Sequence, residues 1–111
     1  MKRIYPMFSI AYFRRCWYIH QYRKNRNQII EIKFHIDYLL KLEKVKEQPL
    51  VVVRLRSLLQ RLRIASQVNE KLHQANKTQA GRDVRKCYRS EFNHRLKSIR
   101  NCLKQITENV K

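Results

Sequence analysis

A single glycine, Gly81, and two prolines, Pro6 and Pro49, punctuate the whole of this 111-residue chain. That scarcity constrains the fold more than any other feature. Sandwiches and barrels reverse direction every few residues, and their tight turns draw on Gly, Pro, Asn and Asp for the backbone angles other residues resist. A glycine-rich phosphate loop needs several glycines within a few positions. Most all-β folds and most nucleotide-binding folds are thereby excluded. With 43% apolar residues the chain can still form a core, so the expectation is an all-α protein of one modest domain.

Hydrophobic spacing locates the helices. From Asp83 to about Asn109, Val84, Tyr88, Phe92, Leu96, Ile99, Leu103 and Ile106 recur three or four apart and share one face. Asp83 follows the loop that ends at Gly81 and is the expected N-cap. From Leu50 to about Ala75, Leu55, Leu58, Leu62, Ala65 and Leu72 follow a heptad-like spacing with Asn69 in the remaining seam position. A polar residue there fixes register at some cost in stability. Pro49 suits the first turn of this helix. The preceding segment reads two ways. Ile30, Ile32, Phe34, Ile36 and Tyr38 alternate with polar residues as a half-buried strand would, yet Ile29, Ile32, Ile36 and Leu39 or Leu40 also fit a helix face. The missing turn glycines favour helix. The expected architecture is a helical hairpin over about 29–75 and a long C-terminal helix, a small three-helix arrangement preceded by a basic-aromatic extension at 1–28. Residues 29–111 would form the single helical domain.

Charge is the second constraint. Twenty-six Lys and Arg against eight Asp and Glu give a formal net charge of +18. The first acidic residue is Glu31, and segment 29–49 is neutral, with four lysines against four acids. The remaining segments are each strongly positive, so the charge is built into the helices rather than confined to a tail. On the C-terminal helix Lys86, Arg89, Asn93, Lys97, Arg100 and Lys104 form a stripe opposite the apolar one. Ordinary solvated faces mix signs to form i,i+4 pairs; a stripe of one sign repels itself and is relieved by a polyanion.

Residues 1–28 hold Tyr5, Phe8, Tyr12, Phe13, Trp17, Tyr18 and Tyr22, interleaved with Arg14, Arg15, Arg23, Lys24 and Arg26. Guanidinium groups clamp phosphates and aromatic faces stack on unpaired bases. Two other readings fit the same residues. Phe8, Tyr12, Ile19 and Tyr22 could form a helical stripe packed on the core, or the segment could lie on an anionic membrane surface. The candidate phosphate contacts are therefore Arg14, Arg15, Arg23, Lys24, Arg26, Lys86, Arg89, Lys97, Arg100 and Lys104. Tyr12, Trp17, Tyr18 and Tyr22 are the stacking or anchoring candidates.

Other chemistries find less support. Cys16 with His20 and Cys87 with His94 would supply the ligand count of a Cys2His2 zinc site, but the spacing matches no finger, so no metal or other cofactor is expected. His35 beside Asp37, and His94 three residues after Glu91, are the nearest approach to an acid-base pair, and a core this small leaves little room for a small-molecule substrate. Catalysis is not expected. Three widely spaced cysteines suit reduced thiols in an intracellular setting. No run approaches the roughly 18–20 apolar residues of a membrane span, and the acid-free basic N-terminus has the composition of a mitochondrial presequence, pointing to the matrix.

The Arg/Leu run from Val53 to Ala65 resembles small basic helical-bundle accessory proteins that work beside reverse transcriptases or CRISPR effectors; the likeness is confined to that run and carries no function across. The function expected from the residues is structural RNA binding within a large ribonucleoprotein, a mitochondrial ribosome above all, with rRNA and neighbouring proteins as partners. The alternative is a helical assembly subunit docking on proteins of a multi-subunit complex, or a small accessory protein of a nucleic-acid-processing complex. No helix-turn-helix spacing favours DNA.

Overall fold

The computed structural model describes residues 4–78 and 81–110, with side chains from Tyr12 onward. Tyr5 and Phe8, named above, thus fall outside the described side chains. The protein is all-α: α1 (Ile4–Lys41), the single turn α2 (Glu43–Lys46), α3 (Pro49–Lys77) and α4 (Arg82–Val110). The alternating segment 29–38 is helical. Its alternation arises because Ile32 and Ile36 enter the core while Ile30, Phe34 and Tyr38 stand exposed on the other side of the same helix. The hairpin arm expected to begin near residue 29 reaches back to Ile4, so one continuous helix crosses the compositional boundary at residue 28.

The reversal between α1 and α3 is made without glycine. Leu42 takes an extended conformation (φ −71°, ψ 134°) and breaks α1. Val45, fully buried, plugs the turn. The Gln48 carbonyl then accepts from the Val51 and Val52 amides to start α3, with Pro49 in its first turn as expected. At the other connection α4 begins one residue before Asp83. Asp83 lies inside the first turn, where a carboxylate still meets the positive end of the helix dipole, and the Gly81 carbonyl accepts from the Arg85 amide.

The central element is α3. It packs along both α1 and α4, whereas α1 and α4 scarcely meet each other. The core joins Ile32, Ile36 and Leu39 of α1, Leu55, Leu58, Leu62, Ala65 and Val68 of α3, and Phe92, Leu96, Ile99, Leu103 and Ile106 of α4. Only Val84 of the expected α4 stripe is left exposed. The molecule is long and thin, 67 × 24 × 17 Å, as three helices of this length require: the 38 residues of α1 alone extend about 57 Å.

Buried polar contacts set the register. The Asn69 seam position meets Asn25 of α1, whose Nδ2 donates to Asn69 Oδ1 at 3.0 Å, while Asn69 Nδ2 donates to the Tyr22 carbonyl at 3.3 Å. Both amides are buried. With α1 and α3 antiparallel through this pair, the end of α3 falls about level with Trp17, and the earlier turns of α1 run on beyond it.

Replacing either asparagine alone, Asn25→Leu or Asn69→Leu, strands the partner amide and should lower unfolding free energy by about 1–3 kcal/mol. The double replacement should recover most of that loss while loosening the register. Urea unfolding of the three variants checks this, and a double variant as unstable as the sum of the singles would refute it.

Candidate nucleic-acid interface

Because α3 holds α1 and α4 on either side of itself, the two outer helices run side by side with a trough between them. At one end Phe13, Arg14, Trp17 and Tyr18 of α1 face Arg89 of α4 across an open hollow of about 440 Å3. In the middle His20, Arg23, Lys24, Asn27, Gln28 and Glu31 face Arg100 around about 580 Å3. At the far end Glu31, Ile32 and His35 face Arg100, Leu103, Lys104, Thr107 and Glu108. The trough thus runs from an aromatic and basic end, through a middle of basic residues and neutral amides that Glu31 closes, to an end where Glu108 joins Glu31 in the lining.

Of the basic residues singled out from sequence, Arg14, Arg23, Lys24, Arg89, Arg100 and Lys104 line this trough. Lys86 and Lys97 are exposed on the same stripe of α4, as the three- and four-residue spacing dictates. Arg15 and Arg26 are exposed but line none of these hollows. Arg26 lies instead close enough to Tyr22 for its charge to act on that phenol. None of these ten side chains is ion-paired among the described residues, where the ion pairs are Lys46 with Glu43 and Arg95 with Glu91. Glu91 takes Arg95, at 3.1 Å, and His94 takes no part in that pair.

The aromatic candidates separate into two kinds. Tyr22 and Tyr18 are half-buried anchors. The Tyr22 hydroxyl donates to Glu70 of α3, and its ring stacks on His73 with centroids 4.3 Å apart. That hydrogen bond raises the phenol above its ordinary pKa, with a smaller opposing effect from Arg26. The bond is therefore intact through neutral pH and lost only as pH climbs through the raised value. Tyr18 accepts a hydrogen bond from Arg85 of α4 at 2.8 Å, which ties the two trough walls together. Trp17 and Tyr12, by contrast, are 56% and 57% exposed, and Phe13, beside Tyr12, is 67% exposed. The core-stripe reading of Tyr12 and Ile19 is thereby corrected: both stand in solvent, because α3 meets α1 on the flank that carries Tyr22 and Asn25.

Sequence reasoning missed two anchoring arginines. Arg61 of α3 donates to Ser98 Oγ and to Cys102 Sγ of α4, and Arg85 has the Tyr18 contact just described. Arg61 flanks the Leu58–Leu62 seam, and seam-flanking positions are where interhelical polar contacts form; Arg85 carries no comparable signal. Cys16 and Cys87 are exposed thiols and Cys102 is half-buried. No cluster of three or more His, Cys, Asp or Glu side chains forms among the described residues, and no described helix is long and apolar enough to cross a membrane. No protein-family model matches the chain, and no curated protein or solved structure matches it either.

Two walls of the same sign repel across the trough, and screening weakens that repulsion. Raising salt from about 50 mM to about 500 mM should therefore raise the thermal midpoint by several degrees, since about 1 kcal/mol of relieved repulsion is worth about 4 °C or more in a domain near this size. An Arg23→Gln, Arg100→Gln variant should start higher and respond less. A midpoint that falls with salt would show that the trough is not under electrostatic strain.

Proposed function

We propose that this protein is a structural RNA-binding component of a ribonucleoprotein, with the α1–α4 trough as its RNA path. The observation that carries the reading is the meeting of two basic stripes from helices distant in sequence. Arg14, Arg23 and Lys24 on one wall, with Arg89, Arg100 and Lys104 on the other, gather unpaired cations along a concave line. A phosphate backbone laid there would neutralise both walls at once and release its condensed counterions. Base-edge reading modules are absent from the sequence, so recognition would rest on RNA shape, charge and unpaired bases rather than on an extended code. The acid-free basic N-terminal composition supports a mitochondrial setting, and with it a mitochondrial ribosome as the assembly.

A specific observation favours a second reading alongside it. Ile30, Phe34 and Tyr38 form an exposed apolar stripe at helical spacing, Phe34 being 71% exposed, and Leu50 and Val53 stand exposed at the start of α3. These residues lie in or next to the one segment of the chain without net charge, where a protein surface can approach without electrostatic cost. A subunit that binds RNA with one end and a neighbouring protein with the other would use both features.

The two readings separate by mutation. Reversing Lys97, Arg100 and Lys104 to Glu, all exposed and so harmless to the core, should weaken binding to a structured RNA more than a hundredfold at moderate salt. It should also flatten the slope of log K against log salt. Phe34→Glu should leave RNA affinity unchanged and abolish co-purification with a protein partner. If the triple reversal leaves RNA affinity intact, the trough is not the RNA path.

A further inference from the structure

The aromatic end of the trough has a geometry that phosphate binding alone does not need. Phe13 and Trp17 lie one helical turn apart on the trough side of α1, both more than half exposed. Four residues of helix advance about 6 Å, so the two rings leave successive turns of α1 and line one hollow. The next turn carries His20, whose ring centroid is 6.5 Å from that of Trp17, so the line of rings continues towards Arg23 and Lys24. The hollow is braced at its base: Arg85 pins the Tyr18 hydroxyl, so the wall behind Trp17 is fixed. Arg14 beside it and Arg89 opposite supply cations at the rim of the same hollow.

We infer that this end of the trough is a nucleobase-stacking subsite, in which Trp17 and Phe13 take an unpaired base while Arg14 and Arg89 hold the flanking phosphates. The inference rests on the trough being an RNA path and adds the class of RNA: a single-stranded segment, because a base paired within a duplex presents its edge and not its face. It also gives the path a direction. The strand is anchored by stacking at the Phe13–Trp17 end, follows Arg23 and Lys24, and leaves at Arg100, where Glu31 enters the lining and Glu108 follows beyond it, both repelling phosphate.

Trp17 is the chain's one tryptophan, so its fluorescence reports this subsite and no other. The full chain is titrated with an oligouridylate, an abasic ribose-phosphate strand of the same length, a duplex RNA of the same length, and phosphatidylserine vesicles. The oligouridylate should quench Trp17 strongly and saturably. The abasic strand should bind about tenfold more weakly with a similar salt slope and almost no quenching, and the duplex should leave emission nearly unchanged. Trp17→Ala should lower oligouridylate affinity about tenfold without altering affinity for the abasic strand, and Trp17→Phe should restore most of the loss. Equal affinity of the intact and abasic strands, or an oligouridylate affinity unmoved by Trp17→Ala, overturns the subsite while leaving the phosphate path standing. Salt-dependent binding to none of the nucleic acids overturns both. A blue shift of Trp17 with vesicles, without quenching by the oligouridylate, assigns the aromatic end to a lipid surface instead.

Discussion

Everything in this molecule depends on one helix holding two others that meet each other at little more than the Arg85–Tyr18 contact. The apolar seam of α3 supplies Leu55, Leu58, Leu62, Ala65 and Val68 to a core shared with α1 on one side and α4 on the other. Burying a Leu or Ile side chain contributes about 1.5–3 kcal/mol, and many such side chains are buried here. Repulsion between exposed cations in water is individually far weaker and is screened over about 10 Å. Core burial therefore wins locally over charge, and α1 and α4 are held parallel despite their like-signed faces. The trough is the space left by that arrangement.

Polar contacts then decide how the helices slide. A seam of leucines tolerates shifts of a heptad with modest loss, since one apolar knob resembles the next. Asn25 with Asn69, Arg61 with Ser98, and Arg85 with Tyr18 fall at different heights and join three different helix pairs. Each is satisfied in one alignment only. Together they bring Arg23 and Lys24 into one hollow with Arg100, and Arg14 and Trp17 into another with Arg89, so that cations distant in sequence share a lining.

The helices facing the core were legible, and the reasons are physical. In α4 nearly every apolar residue packs towards α3, so burial produced a clean stripe from Phe92 to Ile106 with the cations of the trough beside it. In α1 the pattern is blurred, because Ile30, Phe34 and Tyr38 are as apolar as Ile32 and Ile36 yet stand outside the core. Apolar residues on two opposite helix faces imitate the alternation of a strand, and periodicity cannot separate them. The N-terminal half of α1 looked like a separate extension because its composition changes, although backbone hydrogen bonding is indifferent to such a change. The basic stripes could each be read from spacing. Their convergence could not, since it depends on α3 carrying α1 and α4 side by side, and neither could the use of Tyr18 and Tyr22 as internal anchors, which requires knowing that Arg85 and Glu70 lie within reach.

The charge arrangement has an energetic consequence for any polyanion that fills the trough. Unpaired cations on two walls raise the free energy of the folded state relative to a chain whose charges can separate. A bound phosphate backbone removes that penalty, so part of the binding free energy appears as folding free energy, and bound protein is more stable than free protein by the usual mass-action relation. The same coupling bears on where the chain can afford exposed aromatics. Phe13 and Trp17 sit where α1 runs level with or past the end of α3, braced by little except Tyr18 and Arg85. A ligand that stacks there would add contacts to a part of α1 that α3 scarcely reaches while neutralising the trough's cations. The apolar stripe of Ile30, Phe34 and Tyr38 lies in the segment of α1 that begins beside Glu31 and has no net charge. If the trough takes a polyanion as proposed, the uncharged segment around Phe34 and Tyr38 is the surface left for a neutral, apolar contact.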